Sequence, residues 1–201
     1  MSKEIFSIPA ITLRGVVVFP DMNMSFDVAR QKSVSAIKEV IKNDRKIFVV
    51  AQRDALQENP KNIDELYEVG VIAEVKQIIN YPGEAMRVLV EGIERAKLSA
   101  IDMDREFCIA DVSLLPEDNT LDDDEKVQIK AITNLVNDAC EKYCNIAPIN
   151  VPTKLAESMI LCKEPNQLFK NVVFNIPLNV DDKQFLLELD TIFERLTTLY
   201  T

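Results

Sequence analysis

The chain has 201 residues, a net charge of −10, a sequence pI near 4.6 and no histidine. That length admits one large or two modest domains with a real core, and no apolar run approaches the ~18 residues that span a bilayer. The missing imidazole excludes Ser-His-Asp, Cys-His and histidine-zinc chemistry, the absence of a G-x-x-x-x-G-K-[ST] loop argues against ATP hydrolysis by this chain alone, and the acidic balance argues against a broad nucleic-acid or membrane surface.

The first part of the chain reads as mostly strand. Ile8 to Phe19 is apolar and β-branched, with Pro20 and Asp21 as breakers, so the run Val16-Val17-Val18-Phe19 is expected as a buried strand. From Ala29 to Asn43 the period changes: Val34, Ile37, Val40 and Ile41 fall at helical spacing. Lys46 to Ala51 returns to strand. Val71, Ala73 and Val75 alternate with Ile72, Glu74 and Lys76, and Met86, Val88 and Val90 alternate with Arg87, Leu89 and Glu91. Between these runs, Tyr81-Pro82-Gly83-Glu84 suits a type II turn, which predicts an antiparallel hairpin. Ala96–Ile101 and Phe107–Leu115 continue the meander. The simplest arrangement that buries one face of these strands is a small, partly open barrel with one helix packed on it.

Pro116 to Leu121 reads as a boundary, giving domains at 1–117 and 118–201. Beyond it the pattern is helical. Asp122-Asp123-Asp124-Glu125 opens a long helix with capping-box spacing and an acidic first turn that suits the helix dipole. Its expected inward residues are Ile132, Leu135, Val136, Ala139 and Tyr143. Further helices are expected at Pro152–Cys162 (Leu155, Met159 and Ile160 inward) and Asn166–Phe174 (Leu168, Phe169, Val172 and Val173 inward). Asp181 to Thr201 carries Phe185, Leu186, Leu189, Ile192, Phe193, Leu196 and Leu199 on one stripe with no stop signal, so it reads as one long helix cut before its end.

Few residues point to chemistry. Arg30 and Lys32 sit in the first turn of the predicted helix, where cations oppose the dipole. They are either kept for a partner contact or, as the preferred reading has it, are solvated or paired with Asp27 or Glu39. Met22, Met24 and Phe26 alternate after Pro20 and could meet a partner, although core packing is the simpler explanation. Cys140 and Cys144 share a helix face but lack the partners of a zinc site. With Cys108 and Cys162 they read as reduced thiols, and the start Met1–Phe6 is not a signal peptide, so the expected compartment is the cytoplasm. Glu91, Glu94, Asp102 and Asp104 read as solvated faces of strands and turns. No catalytic, cofactor or metal residue is expected in the chain.

Three ordered blocks carry a resemblance: Leu13-Arg14-Gly15-Val16-Val17-Val18-Phe19-Pro20, Asp64-Glu65-Leu66-Tyr67-Glu68-Val69-Gly70-Val71-Ile72-Ala73 and Val88-Leu89-Val90-Glu91-Gly92-Ile93-Glu94-Arg95-Ala96. Val50-Ala51-Gln52-Arg53-Asp54 lies between the first and second. Together they resemble the amino-terminal domain of the ATP-dependent Lon proteases. Ile176-Pro177-Leu178, Asp182–Glu188 and Arg195-Leu196 resemble the segment leading into that family's long central helix.

The resemblance implies an α+β fold: a β-rich, PUA-like pseudo-barrel with one packed helix, then a helical bundle ending in a long helix. It also implies AAA+ ATPase and Ser-Lys peptidase modules downstream, with ATP and magnesium belonging to that missing part. The implied role is non-catalytic: holding unfolded or misfolded protein substrates and supporting a hexamer of like subunits. A stand-alone peptide- or ligand-binding protein and an RNA-binding barrel are the alternatives, the latter disfavoured by the charge. The family usually has glycine where this chain has Ala29, so that turn is expected to differ if it requires positive φ.

Overall fold

A computed structural model describes residues 4–116, 122–146 and 151–201. The chain falls into two compact units, one reaching Pro116 and one starting at Glu117. The boundary residues 117–121 lie outside the described residues.

The first unit contains six strands: β1 (Ile5–Leu13), β2 (Asn23–Val28), β3 (Lys46–Ala51), β4 (Val69–Asn80), β5 (Met86–Asp102) and β6 (Cys108–Leu114). Helix α1 (Gln31–Ile41) lies between β2 and β3 and packs on β1, β3 and β6. The strand order is β2-β5-β4-β3-β1-β6, and β5 also pairs with β6. That last pairing closes a five-strand ring, so the barrel is more complete than the meander alone predicts, with β2 attached to its side.

The 17-residue β5 makes this closure. Its first half pairs with β2 and its second half with β6, while β4 runs beside it from Met86 to Lys97. One strand can serve two partners in succession because the ladder shifts register at Ile72/Ala73, Val75/Gln77 and Leu98/Ala100, and bulges bend and twist a strand. All pairings are antiparallel except β1 with β3, whose connection runs through β2 and α1. The interior is filled by Ile8, Phe48, Val50, Leu66, Leu98 and Val112, among others. Ile72, opposite Phe48, joins this cluster, while Val71, Ala73 and Val75 on the other face of β4 are buried as well.

The hairpin between β4 and β5 forms where Pro82-Gly83 predicts it. Gly83 has φ +90°, and the Tyr81 N–H donates to the Ala85 carbonyl at 3.0 Å.

The run Val16–Phe19 is not a strand. β1 ends at Leu13, Gly15 turns the chain at φ +70°, and Val17, Val18 and Phe19 are buried outside any strand. Pro20, which has no N–H to donate, instead meets Gly92 as an isolated bridge. The Asp21 N–H donates to the Gly92 carbonyl at 2.8 Å, and the Gly92 N–H donates to the Met22 carbonyl at 3.0 Å. A Cβ on Gly92 would lie 2.1 Å from the Phe19 carbonyl oxygen. The other sequence blocks meet in the same way. The Gln52 N–H donates to the Leu13 carbonyl at 2.8 Å, and a Cβ on Gly70 would lie 2.5 Å from the Phe48 ring and from the Val49 carbonyl oxygen. The blocks therefore occur together because each closes against another.

The second unit contains α2 (Asp123–Ile146), α3 (Thr153–Ile160), α4 (Pro165–Asn175), α5 (Val180–Glu188) and α6 (Ile192–Tyr200). α2 packs against α3, α4 and α6, and α4 against α3 and α6. Asp122 and Glu125 form a reciprocal cap at 2.9 and 2.8 Å. Met159, Leu168, Phe169, Val172 and Val173 point inward as their spacing predicts.

Two expectations fail here. The buried side of α2 is Ile129, Ile132, Thr133, Val136, Asn137 and Cys140, whereas Leu135 is 43% exposed and Ala139 and Tyr143 are half-buried. Asn137 turns inward because its amide donates to the carbonyls of Met159 at 2.6 Å and Cys162 at 3.1 Å, where α3 ends. The long final helix is instead two short ones. Leu189 is extended, and Thr191 with Glu194 forms a capping box that starts α6. The Leu189 carbonyl freed at the break accepts two hydrogen bonds from Arg195, at 3.2 and 3.0 Å. The break turns Phe185 and Phe193, expected on the buried stripe, outward.

Candidate functional site

Arg30 occupies the N-cap position of α1 with extended backbone, φ −71° and ψ 132°, and its side chain does not cap the helix. The guanidinium reaches across the unit instead. It donates to the Gln52 side-chain oxygen at 2.8 Å, to the Glu58 carbonyl at 3.0 Å and to the Thr12 carbonyl. Burial, then repulsion from Arg14, lowers its pKa from the ordinary arginine value, although an arginine stays charged at any physiological pH. The Lys32 ammonium donates to the Met103 carbonyl.

These contacts differ from the expected pairing with Asp27 or Glu39. Asp27 is held bidentately by Arg87 at 2.8 Å, and Glu39 by Lys42 at 3.2 Å, because those cations are closer along β5 and α1. Ala29 is not among the positive-φ residues, so the missing glycine imposes no strain there.

Two cavities flank Arg30. One of about 230 Å³ is lined by Leu13, Arg14, Phe26, Val28, Arg30 and Ser33, with Asp27 at its side. The other, of about 400 Å³, is lined by Thr12, Arg30, Lys32, Ser33, Glu58 and Cys108. Burial raises the Cys108 thiol pKa, against the opposing pull of Lys32 and Arg30. Chemically this is a place for an anionic or hydrogen-bonding group beside apolar walls.

The structure therefore brings Arg30, Lys32 and Phe26 to adjoining cavities, but it does not gather all five sequence candidates. Met22 and Phe26 are core residues at 7% and 8% exposure. Met24 is half-buried on β2, whose outer edge has no strand partner among the described residues. Thr12, Gln52 and Ser33, which complete the surroundings of Arg30, carry no chemical signal in the sequence. Only the position of Gln52 inside the Val50–Asp54 block marks it.

The remaining candidates are ordinary. Cys140 is buried, which pushes its thiol to about 11. Lys76 pairs with Glu74 at 2.8 Å and with Glu91 at 2.7 Å, and Asp102 pairs with Arg105 at 2.6 Å. Among the described residues, no cluster of acidic or thiol side chains is arranged to hold a metal, and no helix is long and apolar enough to cross a membrane.

The family model of the ATP-dependent protease La (LON) substrate-binding domain matches residues 7–201. The chain is 34% identical to the Lon protease of Desulforamulus reducens over 199 residues, covering 99% of this chain and 24% of that protein. It is 35% identical to Lon protease 1 of Hydrogenovibrio crunogenus over 188 residues, covering 92% and 22%. The chain thus spans about a quarter of the length of these relatives. Its fold is similar to the N-terminal domain of Mycobacterium avium complex Lon protease, with TM-score 0.72, 18% identity and 96% of each chain covered. It is also similar to the Lon N-terminal domain protein of Xanthomonas campestris, with TM-score 0.64, 14% identity and the same coverage. With the ring of strands, the single packed helix and the interlocking blocks all in place, the chain belongs to the Lon substrate-binding domain family.

Proposed function

We propose that this chain is the non-catalytic, substrate-engaging part of a cytoplasmic ATP-dependent Lon serine protease. In that reading it holds unfolded or damaged proteins and supports a hexamer, while the ATPase and Ser-Lys peptidase modules, with ATP and magnesium, belong to the rest of the parent protein. One observation carries the reading: the family match covers the chain almost end to end while the protease relatives are about four times longer. The edge of β2, which has no strand partner among the described residues and carries half-buried Met24, supports a docking mode in which an extended chain adds main-chain hydrogen bonds. Arg30 and Lys32 line the neighbouring cavity and would act on an anionic part of such a chain.

The test is fluorescence polarisation with a labelled, reduced and carboxymethylated protein that cannot fold, set against its native form. The expected result is saturable binding of the unfolded form alone, weakened by Met24→Lys with unchanged melting temperature. Equal binding of both forms, or a salt-sensitive preference for RNA, would remove the proposal.

A further inference from the structure

We propose that the loop at residues 54–62 is a gate: it opens as a unit on stems fixed to the barrel and controls access to the cavity of about 400 Å³ that it helps to wall. The proposal goes beyond the substrate-engaging role and does not depend on it.

The stems are pinned to each other. The Arg53 N–H donates to the Glu65 carbonyl at 2.9 Å, the Tyr67 N–H donates to the Ala51 carbonyl at 3.1 Å, and Gln52 and Leu66 form an isolated bridge. Arg53 also lies over the Tyr67 ring, 4.8 Å from its centroid. The two ends of the loop therefore run side by side, as in a compact surface loop that can swing without disturbing the strands it joins. It follows β3, where Ile47 to Ala51 are all buried, yet no side chain from 53 to 64 is fully buried and Leu56 is 92% exposed. Opening thus exposes little apolar surface, which marks a segment that opens far more readily than the fold as a whole.

What holds the loop closed is polar. The Gln52 side-chain amide donates to the Gln57 carbonyl at 3.0 Å, and Arg30 donates to the Glu58 carbonyl at 3.0 Å, with the Glu58 carboxylate acting on the Arg30 charge. Glu65 accepts from the Gln57 side chain and from the Lys61 N–H, both at 2.6 Å. These partners keep their places when the loop leaves. Arg30 is still bonded to Gln52 and to the Thr12 carbonyl, Gln52 is only 1% exposed, and Glu65 belongs to the stem. Water replaces each lost bond, so opening costs little beside unfolding. Glu58, Asn59 and Pro60 of the loop line the cavity together with Lys32, Met103 and Cys108, so opening removes one wall and uncovers the Cys108 thiol.

The test uses the whole chain. Iodoacetamide labelling of Cys108 reports the cavity, with Cys140 as internal control, and exchange of the Lys61 amide, followed by NMR, reports the loop. Gln57→Ala removes one hydrogen bond to a charged group and changes no charge, so both rates should rise together, by roughly tenfold. Glu65→Ala removes two bonds to the loop and should raise Cys108 labelling further. Labelling of Cys108 that stays constant while the Lys61 amide exchanges faster overturns the proposal, because the loop then opens without gating the cavity. Both rates unchanged in Gln57→Ala overturns it as well. So does equal acceleration of the β4 amides from Val69 to Val75, which would make the event unfolding of the whole unit.

Discussion

Replacing Gly92 by alanine tests the junction between the Phe19–Met22 segment and β5. The new methyl carbon would sit 2.1 Å from the Phe19 carbonyl oxygen and 2.8 Å from its carbon, far inside an ordinary contact of about 3.5 Å. Both obstacles are backbone, so no rotamer change relieves them. The segment must withdraw by about 1 Å or more, which breaks the Asp21-to-Gly92 and Gly92-to-Met22 hydrogen bonds, about 1 kcal/mol each. Withdrawal also loosens Phe19 and Met22, 3% and 7% exposed, for about 1–2 kcal/mol of lost burial. The expected destabilisation is therefore about 3–4 kcal/mol, read by urea unfolding of the whole chain followed by circular dichroism. Gly83→Ala is the control, because Gly83 has φ +90° but nothing within 4 Å, so only backbone strain of about 1 kcal/mol applies. If Gly92→Ala costs no more than Gly83→Ala, close approach is not why glycine stands at this position.

Asn137→Ala removes the donor to two carbonyls at the end of α3 and should cost about 2–3 kcal/mol by the same urea assay. Thr191→Ala breaks the capping box of α6 at a cost of about 1 kcal/mol, seen as faster amide hydrogen exchange confined to residues 192–200. Its partner Glu194 has a pKa lowered by hydrogen bonds from Thr191, so this cap is at full strength above the ordinary glutamate pKa and fades as pH falls through the lowered value. Cys140, with its thiol at about 11, should be the slowest cysteine to react with iodoacetamide at pH 8 in the native state, and all four should react alike in urea. Because burial favours the neutral thiol, its contribution to stability is complete below pH 9 and declines as pH rises toward 11. Arg30→Met should cost about 2–4 kcal/mol, since it empties three acceptors on separate segments, whereas Lys32→Met should stay within about 0.5 kcal/mol. Reversing both charges would therefore lower the melting temperature through Arg30, so loss of binding in that double variant does not by itself report a contact.

The elements that were legible are those whose evidence is local. The Lys46–Ala51 strand, the α1 stripe of Val34, Ile37 and Val40, the Pro82-Gly83 turn and the Asp122/Glu125 cap each depend on neighbours within a few residues. The α6 cap was missed: Thr191-Ile192-Phe193-Glu194 has capping-box spacing, but the long apolar stripe through it dominates the pattern. Of the candidate site, only Arg30 and Lys32 stood out, as cations at a helix start. Thr12, Gln52 and Ser33 did not, because hydrogen-bond partners distant in sequence leave no periodic trace.

The sequence by itself determined the alternation of strands, the single helix inserted among them, the helical second half and the family, and it excluded histidine chemistry. Tertiary structure alone decided what the apolar run before Pro20 becomes. Hydrophobicity requires Val17 to Phe19 to be buried, but whether a buried segment joins a ladder depends on which backbone lies beside it. Here the segment meets β5 at Gly92, through the bridge at Pro20 and the hydrogen bonds of Asp21 and Met22, where the missing Cβ leaves room for the Phe19 carbonyl. The same holds for Arg30, whose charge is visible in the sequence but whose acceptors, Thr12, Gln52 and Glu58, are brought to it by the closing of the barrel.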